Sequence, residues 1–393
     1  MDLFNKCYSY TEAKEARAAG FYPYFMPLTN SEGTVAWMGD KRLIMVGSNN
    51  YLGLTMHPKV RQAAIDAVAR YGTSCTGSRF LNGTLELHLE LERRLAQFVG
   101  KGAALVFSTG YQTNLGTISA LIGRGDFIIA DKDDHASIVD GCRLAYGEMR
   151  RFSHNDMQGL ERVLERLPDE AGRLVVVDGV FSMGGDIAPL PELVEVCRKY
   201  EARLMVDDAH AVGVLGDGRG TAAHFGLTDQ VDLIMGTFSK SFASLGGFIA
   251  GDEDTIHYIQ HHARSLIFSA SITPSSAAAA LAALDVMEAE PERSRRVMEI
   301  GARMREGFRS LGFNVCSSQT PIVPILIGEN MPTFMFWKAL LAAGVYTNPV
   351  ISPAVPEGQG LLRTSYIATH TDEQLDFVLD TFAQVGRELG IIS

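Results

Sequence analysis

The sequence predicts an α/β protein, a large domain on a mostly parallel central sheet followed by a smaller α+β C-terminal domain. Three observations lead there. Short apolar runs of strand length recur along the middle of the chain, each bounded by turn residues and separated by helical or loop sequence. Runs of that kind suit buried parallel strands, whose two faces are both covered by helices. The texture changes near Thr273-Pro274, where long helical patterns take over and strands become sparse. The 393 residues, at ~100–200 per domain, leave room for both units.

Taken in order, residues 1–50 show no strong periodicity and are expected to pack across other parts of the molecule. The large domain is assigned to 51–273 and the C-terminal domain to 274–393. His57-Pro58 opens an amphipathic helix running to Tyr71, and Thr84–Val99 reads as a second. Strands are expected at Ala103–Phe107, Phe127–Ala130, Leu174–Val177, Leu204–Val206, Leu233–Met235 and Gly247–Ala250. Beyond Pro274, helices are expected over Ser275–Glu290, Arg293–Leu311 and Pro332–Ala343. Strands are expected at Ile322–Ile327 and Gly360–Ile367, with an apolar segment at Gly344–Tyr346. The last helix begins with a capping box, Thr371 to Gln374, in which each side chain satisfies a free amide of the first turn.

Composition removes several classes. A formal charge of −11 argues against nucleic-acid binding, which calls for a basic stripe. It leaves room for an anionic ligand in a local basic pocket. The five cysteines, Cys7, Cys75, Cys142, Cys197 and Cys316, are odd in number and form no CxxC, which points to a reducing, cytoplasmic compartment. The N-terminus has no apolar stretch of a secretory signal, and no apolar run reaches the ~18 residues of a membrane span. Peripheral membrane contact stays open.

Several motif-like strings carry no function. Gly216-Asp-Gly-Arg-Gly220 lacks the spacing of a dinucleotide fingerprint and reads as a turn. Gly236-Thr-Phe-Ser-Lys240-Ser241 ends like a P-loop but lacks the glycine before its lysine. No HExxH or paired Cys/His spacing supports zinc, and no GxSxG supports an α/β-hydrolase. His261-His262 reads as a solvated helix face.

The chemistry gathers at strand ends. Phe107 leads into Ser108-Thr109-Gly110-Tyr111, Val206 into Asp207-Asp208-Ala209-His210, and Met235 into Gly236-Thr237-Phe238-Ser239-Lys240. Ligands of parallel α/β sheets sit just beyond the carboxyl ends of the strands, so the three clusters are expected to converge. Alone, each piece has an ordinary explanation: a helix cap, a solvated lysine, a core histidine. In this order they fit pyridoxal 5'-phosphate. The lysine would form a Schiff base with the aldehyde, the carboxylate would keep the pyridine nitrogen protonated, and hydroxyls with a Gly-rich turn at a helix N-terminus would hold the phosphate.

The chain resembles the α-oxoamine synthase family of fold-type I pyridoxal phosphate enzymes. The resemblance rests on Ser48–Gly53, Gly77–Thr84, Phe107–Tyr111, Asp134–Ser137, Asp178–Met183, Asp207–His210, Gly236–Lys240 and Leu362–Thr364, in that order over nearly the whole chain. It implies that Lys240 is the Schiff-base lysine, Asp207 the pyridinium partner, and His210 the hydrogen-bond donor to the ring hydroxyl. It implies that His135 stacks on the ring and that Ser182 lies near the ring hydroxyl. Gly110, Tyr111, Thr237 and Ser239 match the phosphate cradle. Ser269 and Ala270 match a segment reaching the phosphate from the neighbouring subunit of a homodimer with shared active sites. Arg363 matches the arginine that binds the substrate carboxylate, with Asn50 nearby.

The Gly77–Thr84 string and His154-Asn155-Asp156 are similar to the branch that joins L-serine to a long-chain acyl-CoA. Such an acyltransferase releases CoA and CO2 and yields 3-oxosphinganine, the entry to sphingolipids. The alternatives within the family are glycine C-acetyltransferase, 8-amino-7-oxononanoate synthase or a promiscuous synthase. The string Phe334-Met-Phe-Trp337 is weighed as an acyl-groove lining and assigned mostly to a helix core. Two departures stand out. Asp208 replaces the usual glutamate, and Asn348–Leu362 contains no lysine or arginine, against any second-arginine mechanism.

Overall fold

The computed structural model describes residues 2–393. Three strands open the chain: β1 (Asn30–Glu32), β2 (Val35–Met38) and β3 (Lys41–Met45). Seven follow: β4 (Ala103–Phe107), β5 (Phe127–Asp131), β6 (Glu148–Phe152), β7 (Arg173–Asp178), β8 (Arg203–Asp207), β9 (Leu233–Thr237) and β10 (Gly247–Gly251). The last four are β11 (Ile322–Gly328), β12 (Val345–Tyr346), β13 (Asn348–Val350) and β14 (Gly360–Ser365).

The seven middle strands form one sheet in the order β4-β10-β9-β8-β7-β5-β6. Neighbours from β9 through β6 pair in parallel, while β10 runs antiparallel to both β9 and β4. Parallel partners need a long crossover, and the segment Phe238–Gly246 between β9 and β10 is too short for one, so β10 returns directly. Strands β7, β8, β9 and β10 are apolar and buried, as the sequence predicts. Strand β6 is an edge strand of charged and exposed residues, which is why no apolar run announces it.

The chain ends meet. Strand β12 pairs in parallel with β3, completing a four-stranded sheet β1-β2-β3-β12. Val35, Ile44 and Val46 share a hydrophobic cluster with Phe308, Phe336, Trp337, Leu340 and Phe382. Residues 1–50 thus acquire strands of three to five residues, too short for a period to show in the sequence. Phe336 and Trp337 are buried in that cluster, in keeping with a helix core. The helix Pro274–Ala289, expected at the head of a C-terminal unit, instead buries Ala277, Ala280, Ala283 and Leu284 in the cluster of the large sheet. The capping box at Thr371 and Gln374 forms as expected, opening the helix Asp372–Glu388. Among the described residues no helix is long and apolar enough to cross a membrane.

Candidate active site

The carboxyl ends of the central strands enclose a cavity of about 250 Å³. Gly110, Tyr111, His135, Asp207, His210, Thr237, Ser239 and Lys240 line it, together with Ser137 and Asp178. The convergence expected from the strand ends is therefore present in space.

Lys240 stands in the Phe238–Gly246 loop. The loop is closed by Phe238 N–H donating to the Gly246 carbonyl (2.9 Å) and Ser244 N–H to the Phe238 carbonyl (2.8 Å). Below it Phe238, Phe242 and Phe248 pack fully buried, with Phe238 centroids 5.1 and 5.9 Å from the other two rings. The apolar base gives the lysine a fixed origin. Burial pulls the Lys240 ammonium down to about 8, against the opposing pull of Asp207 and Asp178. Its free amine thus comes within reach at near-neutral pH.

Asp207, at the end of β8, is held by two donors. Asn114 Nδ2 donates to Oδ2 at 2.7 Å, and the Ala209 amide donates to Oδ1 at 3.0 Å. The second hydrogen of Asn114 Nδ2 goes to Ser137 Oγ at 2.8 Å, and Ser137 Oγ meets His135 Nδ1 at 2.7 Å. Nδ1 also accepts the Ser137 amide at 3.3 Å. An acceptor Nδ1 leaves the proton on Nε2 and the ring neutral. Burial, with the Lys240 charge, pushes the His135 pKa down in the same sense. Asp178 is buried beside Asp207, and burial with that neighbouring charge holds its carboxyl well above the usual range. Its Oδ1 has no partner within the protein.

On the other side, His210 Nδ1 meets the Tyr51 hydroxyl at 2.7 Å. Both are buried, and burial keeps His210 neutral by driving its pKa well below 6.5, with Lys240 and Arg363 adding to the effect. Arg363, on β14, donates from Nε to the Ser182 carbonyl (2.6 Å) and from Nη2 to Asn49 Oδ1 (3.1 Å). Asn49, rather than Asn50, is the asparagine that meets Arg363. The Asn50 amide is turned onto Thr55 Oγ1 at 2.9 Å.

The residues expected to cradle the phosphate gather at a helix N-terminus. The helix Gly110–Leu121 is capped by Thr109, whose hydroxyl accepts from Gln112 N at 3.1 Å. A Cβ on Gly110 would lie 2.6 Å from Thr237 Oγ1, so only glycine lets the turn approach β9. Thr237 Oγ1 and Ser239 Oγ stand 3.0 Å apart. Tyr111 hydrogen-bonds Asp140 through its hydroxyl. Ser269 accepts from Gln112 Nε2 (3.1 Å) and the Ala270 carbonyl accepts from Ser108 Oγ, both outside the cavity lining of their own chain.

The donor set fits pyridoxal 5'-phosphate. A buried amine would meet the aldehyde, a carboxylate the ring nitrogen, neutral imidazoles the ring face and hydroxyl, and a glycine turn with hydroxyls the phosphate. Sequence reasoning missed Asn49, Tyr51, Asn114, Ser137 and Asp178 as site residues. Asn114 had a signal, an amide one turn after Gly110 on a buried helix face. A larger cavity, about 900 Å³, opens at the amino ends of the parallel strands around Lys101, Arg173 and Arg203, away from every predicted site residue. Lys101 is spent there on the Thr228 and Val231 carbonyls. Among the described residues no group of three or more His, Cys, Asp or Glu is placed to hold a metal ion.

Fold and site together define a fold-type I transferase. The chain belongs to the aminotransferase class I and II family, whose profile matches residues 41–382. It is 51% identical to a serine palmitoyltransferase of Sphingobacterium spiritivorum, over 97% of this chain and 96% of that protein. Its structure is similar to serine palmitoyltransferase of Sphingomonas wittichii, with a TM-score of 0.97 and 39% identity over the whole of both chains. It is also similar, with a TM-score of 0.96 and 38% identity over both whole chains, to a variant of serine palmitoyltransferase from S. paucimobilis with a bound PLP–myriocin aldimine.

Proposed function

We propose that this chain is a pyridoxal 5'-phosphate-dependent acyltransferase of the serine palmitoyltransferase type. It condenses L-serine with a long-chain acyl-CoA such as palmitoyl-CoA, releases CoA and CO2, and forms 3-oxosphinganine, the first step of sphingolipid synthesis. The observation that carries this reading is a buried lysine, Lys240, in one cavity with Asp207, His135 and His210, flanked by the anchored guanidinium of Arg363. Full-length likeness to serine palmitoyltransferases supports the choice of reaction.

When bound, the cofactor supplies an aldehyde that captures amines and a ring that draws electron density from Cα. Lys240 Nζ covers the aldehyde end of the cavity and is the base placed to take or return a proton at Cα. Asp207, fixed by Asn114 and Ala209, faces the ring nitrogen. Neutral His135 presents Nε2–H to the substrate face, and His210 takes the hydroxyl side. Gly110, Tyr111, Thr237 and Ser239 hold the phosphate. Arg363, anchored by the Ser182 carbonyl and by Asn49 Oδ1, receives the amino-acid carboxylate.

A homodimer with shared active sites belongs to the same reading, Ser269 and Ala270 reaching the partner's phosphate. The 1–50, 51–273 and 274–393 division is retained as a description of the chain, with the helix Pro274–Ala289 packed on the large sheet. The five unpaired cysteines suit the cytoplasm. The deciding measurement is kcat/KM for L-serine, glycine and L-alanine against C2 to C18 acyl-CoAs. Serine with long-chain acyl-CoAs should lead serine with acetyl-CoA, since each buried CH2 adds ~0.8 kcal/mol. Glycine with acetyl-CoA in the lead would refute it. Co-sedimentation with lipid vesicles tests peripheral membrane contact.

A further inference from the structure

His154 lies outside the cavity lining, yet its surroundings are built for one state of its ring. It follows β6 in the turn before the helix Met157–Leu164. Nδ1 is 3.1 Å from Asp131 Oδ1, and Nε2 is 2.9 Å from Asp186 Oδ2. Asp133 stands 3.9 Å away. Only an imidazolium can donate from both nitrogens, so two carboxylates at opposite ends of the ring call for the charged form. Burial opposes that charge, but hydrogen bonds to Asp131 and Asp186 overcome it and raise the pKa to about 10.

The two carboxylates belong to different walls of the site. Asp131 ends β5. Its amide donates to Asp134 Oδ2 (2.9 Å), and Asp134 Oδ1 accepts the Asp178 amide (2.9 Å) in the wall that carries His135 and Asp178. Asp186 belongs to the tight loop Gly179–Ala188. There Phe181 N–H donates to the Asp186 carbonyl (3.0 Å) and Gly185 N–H to the Phe181 carbonyl (2.8 Å). The His154 ring also stands edge-on to Phe181, centroids 4.3 Å apart. Ser182, next to Phe181, offers the carbonyl that receives Arg363 Nε.

We propose that His154 is a positioning residue for the substrate carboxylate: it pins the Gly179–Ala188 loop to the end of β5 and so fixes the Ser182 carbonyl that aims Arg363. The inference rests on the reading of Arg363 given above. The path is short. His154 holds Phe181. Together with Asn155, whose amide donates to Asp131 Oδ2 (2.9 Å) and whose Nδ2 donates to Asp186 Oδ2 (3.1 Å), it also holds Asp186. Phe181 and Asp186 bracket Ser182, and Ser182 holds the guanidinium. Loss of the pin should spare Lys240 and the phosphate cradle, and Asp207 meets the loop only at its root, where its carbonyl accepts the Gly179 amide at 2.8 Å. The amino-acid carboxylate should therefore feel the loss before the cofactor or the acyl-CoA does.

The test compares holoenzymes of the wild type, His154→Gln, Asp186→Asn and Arg363→Ala. L-serine binding is followed by the change in the cofactor's visible spectrum, and backbone amide exchange is followed over Val180–Ile187. His154→Gln should raise the Kd for L-serine roughly 10-fold, the scale of lost supporting hydrogen bonds. Exchange across the loop should quicken, while kcat, the KM for acyl-CoA and cofactor affinity stay within about twofold. Asp186→Asn should give the same pattern, and the double variant should be no worse than either single one. If His154→Gln does not fold, Asp186→Asn decides. Unchanged serine affinity overturns the proposal, and so does an equal loss of serine, acyl-CoA and cofactor affinity. If Arg363→Ala itself leaves serine binding unchanged, the reading of Arg363 fails instead.

Discussion

At Lys240, chemistry and burial are inseparable: the apolar base that fixes the side chain also lowers its pKa to about 8. Lys240→Ala should fold normally, lose the visible band of the loaded enzyme and drop kcat by roughly 10³-fold or more, as expected when a group acts within a unit. Retention of both band and turnover would move the site elsewhere. Asn114 bridges Asp207 and the Ser137–His135 pair with the two hydrogens of one amide. Asn114→Leu keeps the volume and removes both donors. It should slow Cα–H exchange of bound L-serine ~10–100-fold, read by deuterium incorporation, with the cofactor still bound. His154 gives a pH signature. Its folded pKa, about 10, lies above the ordinary 6.5, so its contribution to stability is complete below about 6.5 and is lost as pH rises through about 10. The urea-stability difference between wild type and His154→Gln should be largest near pH 6 and vanish above pH 10.

Elements were legible where burial wrote them into the sequence. Strands β4, β7, β8 and β9 each carry a continuous apolar run, and their carboxyl ends held all three clusters that met in the cavity. Strands β6 and β1 were silent because they lie at sheet edges with mostly polar, exposed residues, and β2 and β3 because runs of four and five residues are too short to show a period. The reversed direction of β10 was implicit in the length of the loop before it, a constraint that a list of apolar runs does not express. The Gly77–Thr84 segment illustrates a motif whose physical content appears only in space. Arg79 forms a two-pronged ion pair with Glu92 (2.7 and 3.1 Å), and Glu92 also accepts the Val106 amide of β4 at 2.9 Å. Arg79→Met strands a buried carboxylate and should cost ~3–5 kcal/mol in urea unfolding. Gly110→Ala would press a methyl on Thr237 Oγ1 and should weaken pyridoxal phosphate binding at least ~10-fold, measured by titrating the apoenzyme.

For the whole molecule, large apolar side chains remain uncovered on the single chain. Phe4, Tyr8 and Phe25 are exposed near the N-terminus, and Phe80, Leu81 and Phe268 are exposed around the segment that carries Ser269. A second copy of the chain is the partner expected there. Lys240→Ala mixed with a Ser269→Arg variant should regain up to roughly a quarter of wild-type activity after refolding together, because about half of random dimers are mixed and each mixed dimer carries one intact composite site of its two. Absence of any recovery, with light scattering showing monomers, would reject shared sites. The pairing of β3 with β12 has a further consequence, in time rather than in space. Its two strands lie about 300 residues apart, so at ~5–20 residues per second the ribosome needs roughly 15–60 s to deliver the second after the first. Throughout that interval β3 offers an open hydrogen-bonding edge to the crowded surroundings of the nascent chain. Asn49 waits equally long for Arg363, so their hydrogen bond forms only after about 300 further residues have been made. A chain stalled before Val345 would have its central strands in place and no partner for β3 or Asn49, a state for which ribosome-bound chaperones are the natural custodians.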